Sequence, residues 1–160
     1  QLAWQQEFGR AHDRAGLVCE ANVFRYRPVL TPLQIRISAD AQLRDVARLA
    51  LAATRTGSPV RLSATPDKAA ELRGLGFDVE ALSAEAFARE VAGLESARVR
   101  AVGSVEPGVY EAAVQSNSVV LDQPVLADGR RELLAFLLEQ AVSVTMHRFG
   151  IIRRVSSIRD

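Results

Sequence analysis

Short apolar segments of this chain alternate with segments of helical spacing, and this alternation constrains the fold more than any other feature. Strand patterns are predicted at residues 33–37, 60–63, 98–102 and 118–121. Helical patterns are predicted at 41–56, from Thr65 to Gly74, at 83–94, and from Pro107 across Val114. Strands that alternate with helices of about 10–15 residues indicate βαβ crossovers and a parallel sheet. The sequence therefore predicts an α/β fold, a Rossmann-like doubly wound, mainly parallel sheet with helices on both faces.

The two ends of the chain carry less regular patterns. Residues 2–12 have the spacing of a short amphipathic helix, and Val23–Arg27 alternates like an edge strand before Pro28. Near the other end, a helix is predicted at 129–140 and a strand at Ser143–Phe149. We expect three regions: a helix and extended connector (1–28), a Rossmann-like domain that ends in a polar-faced strand (29–150), and a loosely held tail (151–160).

Charge and cysteine content exclude several classes of protein. The 160 residues include 20 basic and 19 acidic side chains, a net charge of +1, which argues against binding to nucleic acid or anionic membrane. The single Cys19 cannot form an internal disulfide, so a reducing compartment, the cytoplasm, is expected. No apolar stretch approaches the ~18 residues of a membrane span. Gln1 opens no secretory signal, so we expect a piece of a longer polypeptide.

The turns after the predicted strands lack the glycines of a dinucleotide site. Such a site needs a glycine-rich turn after its first strand, so that the backbone approaches the pyrophosphate. Here that strand leads into Ser38-Ala39-Asp40-Ala41, which has no glycine and presents a carboxylate where a phosphate would lie. Asp40 is instead predicted as the N-cap of the following helix. We expect no independent nucleotide binding by this segment.

The possible nucleophiles and metal ligands are few. Cys19 precedes an acidic residue, which disfavours a thiolate, so a structural role is expected. His12-Asp13 could form a base and its orienting carboxylate. Ser143, Thr145 and His147 fall on one face of a strand, where they could line a polar pocket or form a solvated edge. Two histidines so far apart in sequence make a weak case for a metal site.

Basic and aromatic residues interleave in the predicted edge strand. Arg25 and Arg27 flank Tyr26, and Arg36 follows in the next strand. This pattern could indicate single-stranded nucleic acid binding. Since the net charge is near zero, we favour arginines on a solvent-facing strand or docking on a neighbouring domain.

Two separated stretches carry a resemblance to a known family. The first is Phe8-Gly9-Arg10-Ala11-His12-Asp13-Arg14-Ala15-Gly16-Leu17 followed by Glu20-Ala21-Asn22-Val23-Phe24-Arg25-Tyr26-Arg27-Pro28. The second runs from Pro124-Val125-Leu126-Ala127-Asp128-Gly129-Arg130 through Glu132-Leu133-Leu134 and Glu139-Gln140 to Ser143-Val144-Thr145 and His147-Arg148-Phe149-Gly150. Both resemble the domain appended after the aldehyde dehydrogenase module in the bifunctional proline utilisation A family. Departures from the family pattern occur at Arg14-Ala15, Cys19, Phe149 and Ile151.

The resemblance implies a function for the whole enzyme and a supporting role for this segment. In the family, an FAD-containing proline dehydrogenase module and an NAD-dependent L-glutamate-γ-semialdehyde dehydrogenase module convert proline to glutamate. Both modules lie upstream, so no catalytic, cofactor-binding or metal-binding residue is expected here. The implied partners are the upstream aldehyde dehydrogenase module and further copies in a homo-oligomer. The resemblance places Ser143, Thr145, His147 and Arg148 in a segment that covers the path of the intermediate.

Two rival hypotheses follow from the α/β pattern itself. One is a stand-alone small-molecule-binding protein whose polar groups converge at the carboxyl ends of the strands. It requires Ser38, Ser63, Ser104 and Asp122 to lie together. The other, a phospho-receiver module, needs a lysine late in the chain, and no lysine follows Lys68.

Overall fold

The computed structural model describes residues 1–148 and 150–152, which fall into two compact units. One unit is Val29–Phe136, and the other combines Gln1–Pro28 with the chain from Leu137 onward. In chain order the strands are β1 (Glu20–Pro28), β2 (Leu33–Ile37), β3 (Val60–Ala64), β4 (Glu80–Ala81), β5 (Arg98–Val102), β6 (Val119–Leu121), β7 (Leu137–Thr145), β8 (His147–Arg148) and β9 (Ile151–Ile152). The α-helices are α1 (Leu43–Thr56), α2 (Pro66–Gly74), α3 (Ala84–Ala92), α4 (Pro107–Gln115) and α5 (Gly129–Glu132).

The unit 29–136 is built around a five-stranded parallel sheet in the order β4-β3-β2-β5-β6. The chain moves outward from β2 to β4 and then crosses back to β5. Because βαβ crossovers are right-handed, this reversal places α1 and α2 on one face and α3 and α4 on the other. The predicted α/β, Rossmann-like, doubly wound class is therefore confirmed.

Local sequence explains where these helices begin and end. Ser83 caps α3, its side chain accepting a hydrogen bond from the Ala86 amide at 3.2 Å. Proline occupies the first turn of α2 and of α4, where its missing N–H costs nothing. Helix α1 ends at Gly57, whose φ of 70° is the left-handed conformation that glycine adopts most easily.

The core lies on both faces of the central strand. All five residues of β2 are buried, as expected of a strand covered on both sides. On the face of α3 and α4, a cluster is formed by Phe87, Val91, Val99, Val109, Ala112 and Ala113.

The other unit contains an antiparallel pair of β1 and β7, here called the β1–β7 ribbon. Its register runs from Glu20 opposite Thr145 to Pro28 opposite Leu137. A short π-helix at Trp4–Phe8 replaces the predicted helix 2–12, and the Phe8 ring lies 4.7 Å from that of Tyr26. The predicted extended conformation of 23–27 is confirmed.

The helix predicted at 129–140 begins at Gly129 with Asp128 as its N-cap, as expected, but its predicted extent beyond Glu132 is wrong. Helix α5 ends at Glu132, a 3₁₀ turn covers Leu133–Phe136, and β7 begins at Leu137. The prediction placed residues 29–150 in one domain. In the structure the compact unit that begins at Val29 ends at Phe136, and β7 belongs to the same unit as β1. The predicted tail from 153 to 160, and Phe149, lie outside the described residues.

Candidate functional site

Ligands of open α/β sheets bind beyond the carboxyl ends of the strands, where the strand order reverses. In this sheet the reversal lies between β2 and β5, and we call this position the switch point. Ser38 follows β2, and Gly103 and Ser104 follow β5. The Ser38 amide donates to the Val102 carbonyl at 3.0 Å, which ties the two loops together, and the Ser38 hydroxyl oxygen also lies 3.0 Å from that carbonyl.

The Asp40 carboxylate fills the switch point. It accepts hydrogen bonds from the Ser104 amide at 3.0 Å and from the Ser104 hydroxyl at 3.1 Å. The Ser38 hydroxyl donates to the same oxygen of Asp40. The predicted N-cap role is therefore wrong, because the residue before α1 is Gln42 and no side chain caps that helix. Asp40 joins the two loops instead.

The approach of the two loops depends on the absence of a side chain at Gly103. A Cβ at this position would lie 2.1 Å from Ser38 Oγ, 2.5 Å from Asp40 Oδ1 and 3.1 Å from the Ala41 amide nitrogen. Its φ of 88° also lies in the region that favours glycine. The glycine at position 103 thus permits contact between two loops of the protein. In a dinucleotide site, by contrast, a glycine lets the backbone approach a bound pyrophosphate.

The hydrogen bonds at the switch point favour the ionised form of Asp40. The Ser38 hydroxyl and then the Ser104 amide hold the pKa of this carboxyl below its usual value. An ionised carboxylate in this position repels a second anion that would use the same donors.

On the face of the sheet that α3 and α4 cover, the side chain of Arg36 is entirely buried. It forms an ion pair with Glu106 at 3.0 Å, donates to the Leu82 carbonyl at 3.0 Å, and lies 4.9 Å from the centre of the Phe87 ring. The predicted solvent-facing or docking role is therefore wrong for Arg36, whereas Arg25 lies on the β1–β7 ribbon and donates to Gln140 at 2.8 Å.

Arg100 is a second buried arginine, and sequence analysis did not single it out. It pairs with both oxygens of Glu132 at 3.2 Å and donates to the carbonyls of Leu121 and Gln123. Glu132 in turn accepts from the Leu126 amide at 2.7 Å. These bonds fix the loop after β6, so the pair is structural. A charged residue inside the apolar strand Arg98–Val102 was the signal that could have revealed it.

An open cleft of about 570 Å³ adjoins the switch point. Its lining includes Asp40, Arg44, Arg48 and Asp122. Asp122 accepts a hydrogen bond from the Tyr110 hydroxyl at 2.6 Å, and this contact raises the pKa of Tyr110.

The four polar residues that a small-molecule site required do not converge. Ser38 and Ser104 meet only at Asp40. Ser63 lies opposite Arg36 in the register of β2 and β3, so its buried side chain is on the α3 and α4 face. Asp122 is held by Tyr110.

The residues predicted to cover the path of an intermediate lie on β7 and β8. Ser143 and Thr145 are exposed, and the Ser143 hydroxyl lies 2.8 Å from Glu20 Oε1 and 2.6 Å from Asn22 Oδ1. The predicted strand is interrupted at the buried Met146, whose amide donates to the Cys19 carbonyl at 2.8 Å.

Beyond Met146 the chain forms the short β8–β9 pair. His147 is exposed and lies opposite Ile152, and Arg148 lies opposite Ile151. The covering role of these residues stays a prediction.

The other candidates show no assembled chemistry. The His12 ring lies 2.9 Å from the Glu7 carbonyl, and Asp13 accepts from the Gly16 amide at 3.1 Å. Cys19 is exposed and not in a disulfide. Among the described residues, no group of three or more histidine, cysteine or acidic side chains could hold a metal ion. In the same part of the chain, no helix has the length and apolarity needed to cross a membrane.

The fold and the site define a Rossmann-like α/β domain whose switch point is filled by its own side chains. No protein-family model matches the chain, and no curated protein matches it significantly. Among solved structures, the chain is similar to Proline Utilization A (PutA) from Corynebacterium freiburgense, with 41% identity over 94% of this chain and a TM-score of 0.67. This chain covers 13% of the length of that protein. The resemblance to the proline utilisation A family is confirmed.

Proposed function

We propose that this chain is a non-catalytic domain of a proline-catabolic bifunctional oxidoreductase. Its similarity to 13% of a PutA chain supports the assignment to such an enzyme. In this proposal FAD and NAD are bound by the proline dehydrogenase and L-glutamate-γ-semialdehyde dehydrogenase modules of a cytoplasmic parent. The present segment binds neither cofactor.

The contact between Asp40 and Ser104 is the observation that carries the non-catalytic role. A Rossmann-like sheet binds a dinucleotide by offering free backbone N–H groups to its phosphates at the switch point. Here the Ser104 amide is already bonded to a carboxylate at 3.0 Å. A dinucleotide would have to displace that carboxylate and separate loops that touch at Gly103.

The supporting role is assigned to the β1–β7 ribbon. At Ser143 and Thr145 one face of the ribbon is exposed and polar, whereas the opposite face contributes Ala21 and Val23 to a buried cluster with Met146. A ribbon of this kind can add to the edge of a partner sheet through backbone hydrogen bonds. The proposed partner is the upstream aldehyde dehydrogenase module, which the ribbon and the following residues His147 and Arg148 would help to cover, within a homo-oligomer.

Calorimetric titration of this chain with NAD tests the absence of cofactor binding. We expect no binding of NAD with a dissociation constant of about 1 mM or tighter. A dissociation constant of 1 mM corresponds to a binding free energy of roughly −4 kcal/mol. The intact parent enzyme is the positive control, because its dehydrogenase module should bind NAD. Saturable binding to this chain at or below that concentration would contradict the proposal.

Steady-state kinetics of the parent enzyme test the covering role. The double variant Ser143→Lys/Thr145→Lys places two bulky cations on the exposed face of the ribbon. We expect a lag in proline-dependent NADH formation, while oxidation of externally supplied aldehyde keeps its rate. Thr54→Lys, an exposed change on α1, is the control and should show no lag. Equal progress curves for the double variant and the control would show that this face covers nothing.

A further inference from the structure

Three hydrogen-bond donors converge on one oxygen of Asp40. They are the Ser104 amide at 3.0 Å, the Ser104 hydroxyl at 3.1 Å and the Ser38 hydroxyl. The second carboxylate oxygen lies 3.3 Å from the Ser104 amide. Because a backbone N–H and two hydroxyls bond to one anionic oxygen, they form a group of donors, beside the solvent-exposed Asp40 and Ser104, that is suited to an oxyanion. We call these three donors the anion cradle.

We propose that the Asp40 carboxylate is an intramolecular occupant of the anion cradle, and that the emptied cradle binds a tetrahedral oxyanion of the phosphate class. The donors belong to two loops that are already fixed to each other, since the Ser38 amide donates to the Val102 carbonyl at 3.0 Å. The cradle therefore keeps its shape when Asp40 is shortened. Asp40 and Gly103 line the adjoining cleft of about 570 Å³, so open space lies beside the carboxylate that a phosphate would replace.

The carboxylate excludes external anions for two reasons. It belongs to the same chain as its donors and lies two residues from Ser38, so its effective concentration is on the order of millimolar or higher. It is also ionised, and a second anion at contact distance is repelled. A single side chain thus keeps the site closed. The inference concerns this chain alone and does not depend on the activity of a parent enzyme.

Three variants separate the effect of emptying the anion cradle from the effect of removing a negative charge. Asp40→Ala empties the cradle. Asp40→Asn removes the charge but leaves an amide oxygen that accepts the same hydrogen bonds. Asp122→Ala removes a carboxylate from the same cleft without touching the cradle, since Asp122 is bonded to Tyr110. All three are titrated with inorganic phosphate at constant ionic strength, and the Ser104 amide is followed by ¹H–¹⁵N NMR.

We expect a saturable shift of the Ser104 amide only in Asp40→Ala, with a dissociation constant on the order of 10 mM or tighter. The wild type, Asp40→Asn and Asp122→Ala should bind phosphate at least about tenfold more weakly. Equal shifts in Asp40→Ala and Asp122→Ala would overturn the proposal, because they would report a general loss of negative charge. A folded Asp40→Ala protein without a saturable shift would overturn it as well.

A second variant keeps the test decisive if Asp40→Ala does not fold. Asp40→Ser replaces the carboxylate with an uncharged hydroxyl on a shorter side chain, so a polar group remains in the loop but the anionic oxygen is gone. The same titration is carried out on this variant. The free energy of unfolding is also measured as a function of phosphate concentration, because it rises when a ligand binds the folded state. Failure of either variant to bind phosphate would leave the NAD result for the wild type unaffected, so the two proposals can fail separately.

Discussion

The switch-point loops and the β1–β7 ribbon differ in what their polar residues connect. At the switch point, Asp40, Ser38 and Ser104 are bonded to one another. On the ribbon, Ser143 and Thr145 lie on an exposed face with their neighbours across the strand pair. The first set joins two loops that are 64 positions apart in the sequence, whereas the Ser143 hydroxyl lies within hydrogen-bond distance of Glu20 and Asn22 across its own strand pair. We therefore expect a partner to contact the ribbon, whose polar face holds no distant segments together.

The largest expected effect comes from the interior of the 29–136 unit. Arg100→Ala leaves the Glu132 carboxylate buried without its cation, and we expect a loss of about 3–5 kcal/mol in the free energy of unfolding. Urea denaturation measures it. The control Arg131→Ala removes an exposed arginine 3.9 Å from Asp128, and should cost about 0–1 kcal/mol. If both variants lost a similar free energy of unfolding, the ion pair between Arg100 and Glu132 would not be important for stability.

Gly103→Ala should have the next largest effect, because it forces the switch-point loops apart. The control Gly76→Ala has nearly the same φ, 89° against 88°, but an added Cβ there meets nothing within 4 Å. We expect Gly76→Ala to cost about 1–2 kcal/mol from backbone strain alone. Gly103→Ala should cost about 1–3 kcal/mol more, because its Cβ overlaps Ser38 and Asp40. Equal unfolding free energies would show that the loops separate easily.

A smaller effect is expected from the ionisation of Asp40. Its folded-state pKa is held below the usual 3.8 by the Ser38 hydroxyl and the Ser104 amide. The contribution of this carboxylate to stability is therefore complete above about pH 4 and is lost as the pH falls through the folded-state pKa. The wild type should be more stable than Asp40→Asn near pH 6, and the difference should shrink in urea titrations towards pH 2.5. A difference in unfolding free energy between the wild type and Asp40→Asn that did not change with pH would argue against an ionised Asp40 at the switch point.

The smallest effect is expected on the exposed face of the ribbon. Ser143→Ala should change the free energy of unfolding by no more than about 0.5 kcal/mol, as is usual for surface positions. Val23→Ala, on the buried face of the same strand pair, should cost about 1–3 kcal/mol. Thermal unfolding monitored by circular dichroism compares the two. A large loss from Ser143→Ala would mean that the exposed residues of the ribbon stabilise the fold, as those of the switch point do.

The fold was largely predictable because its signals are local. Strands β2 and β5 have the predicted bounds, and the proline and glycine positions correctly marked the turns of α2 and α4 and the end of α1. The extent of the helix predicted at 129–140 was wrong because Leu137 and the residues after it pair with β1, more than a hundred positions earlier in the chain. Helix propensity is a weak preference, and non-local strand pairing overrides it.

Less of the candidate site could be predicted from the sequence. The missing glycine turn after β2 predicted that this segment does not bind a nucleotide by itself, and this stays a prediction. That Asp40 would bond to Ser104, 64 positions away, could not be read from a residue that is also a common N-cap. Arg36 was misjudged for a similar reason, since its burial depends on Glu106 and Phe87, which other segments supply.

The sequence by itself determined the α/β class, because the period of its apolar residues selects strand or helix within each segment. It also carried the resemblance to proline utilisation A, in two stretches of ordered residues. Only the tertiary structure decided that Asp40 fills the switch point, that two arginines are buried in ion pairs, and that β7 pairs with β1. Each of these depends on groups far apart in the chain meeting at hydrogen-bond distance, and local spacing contains no information about such meetings.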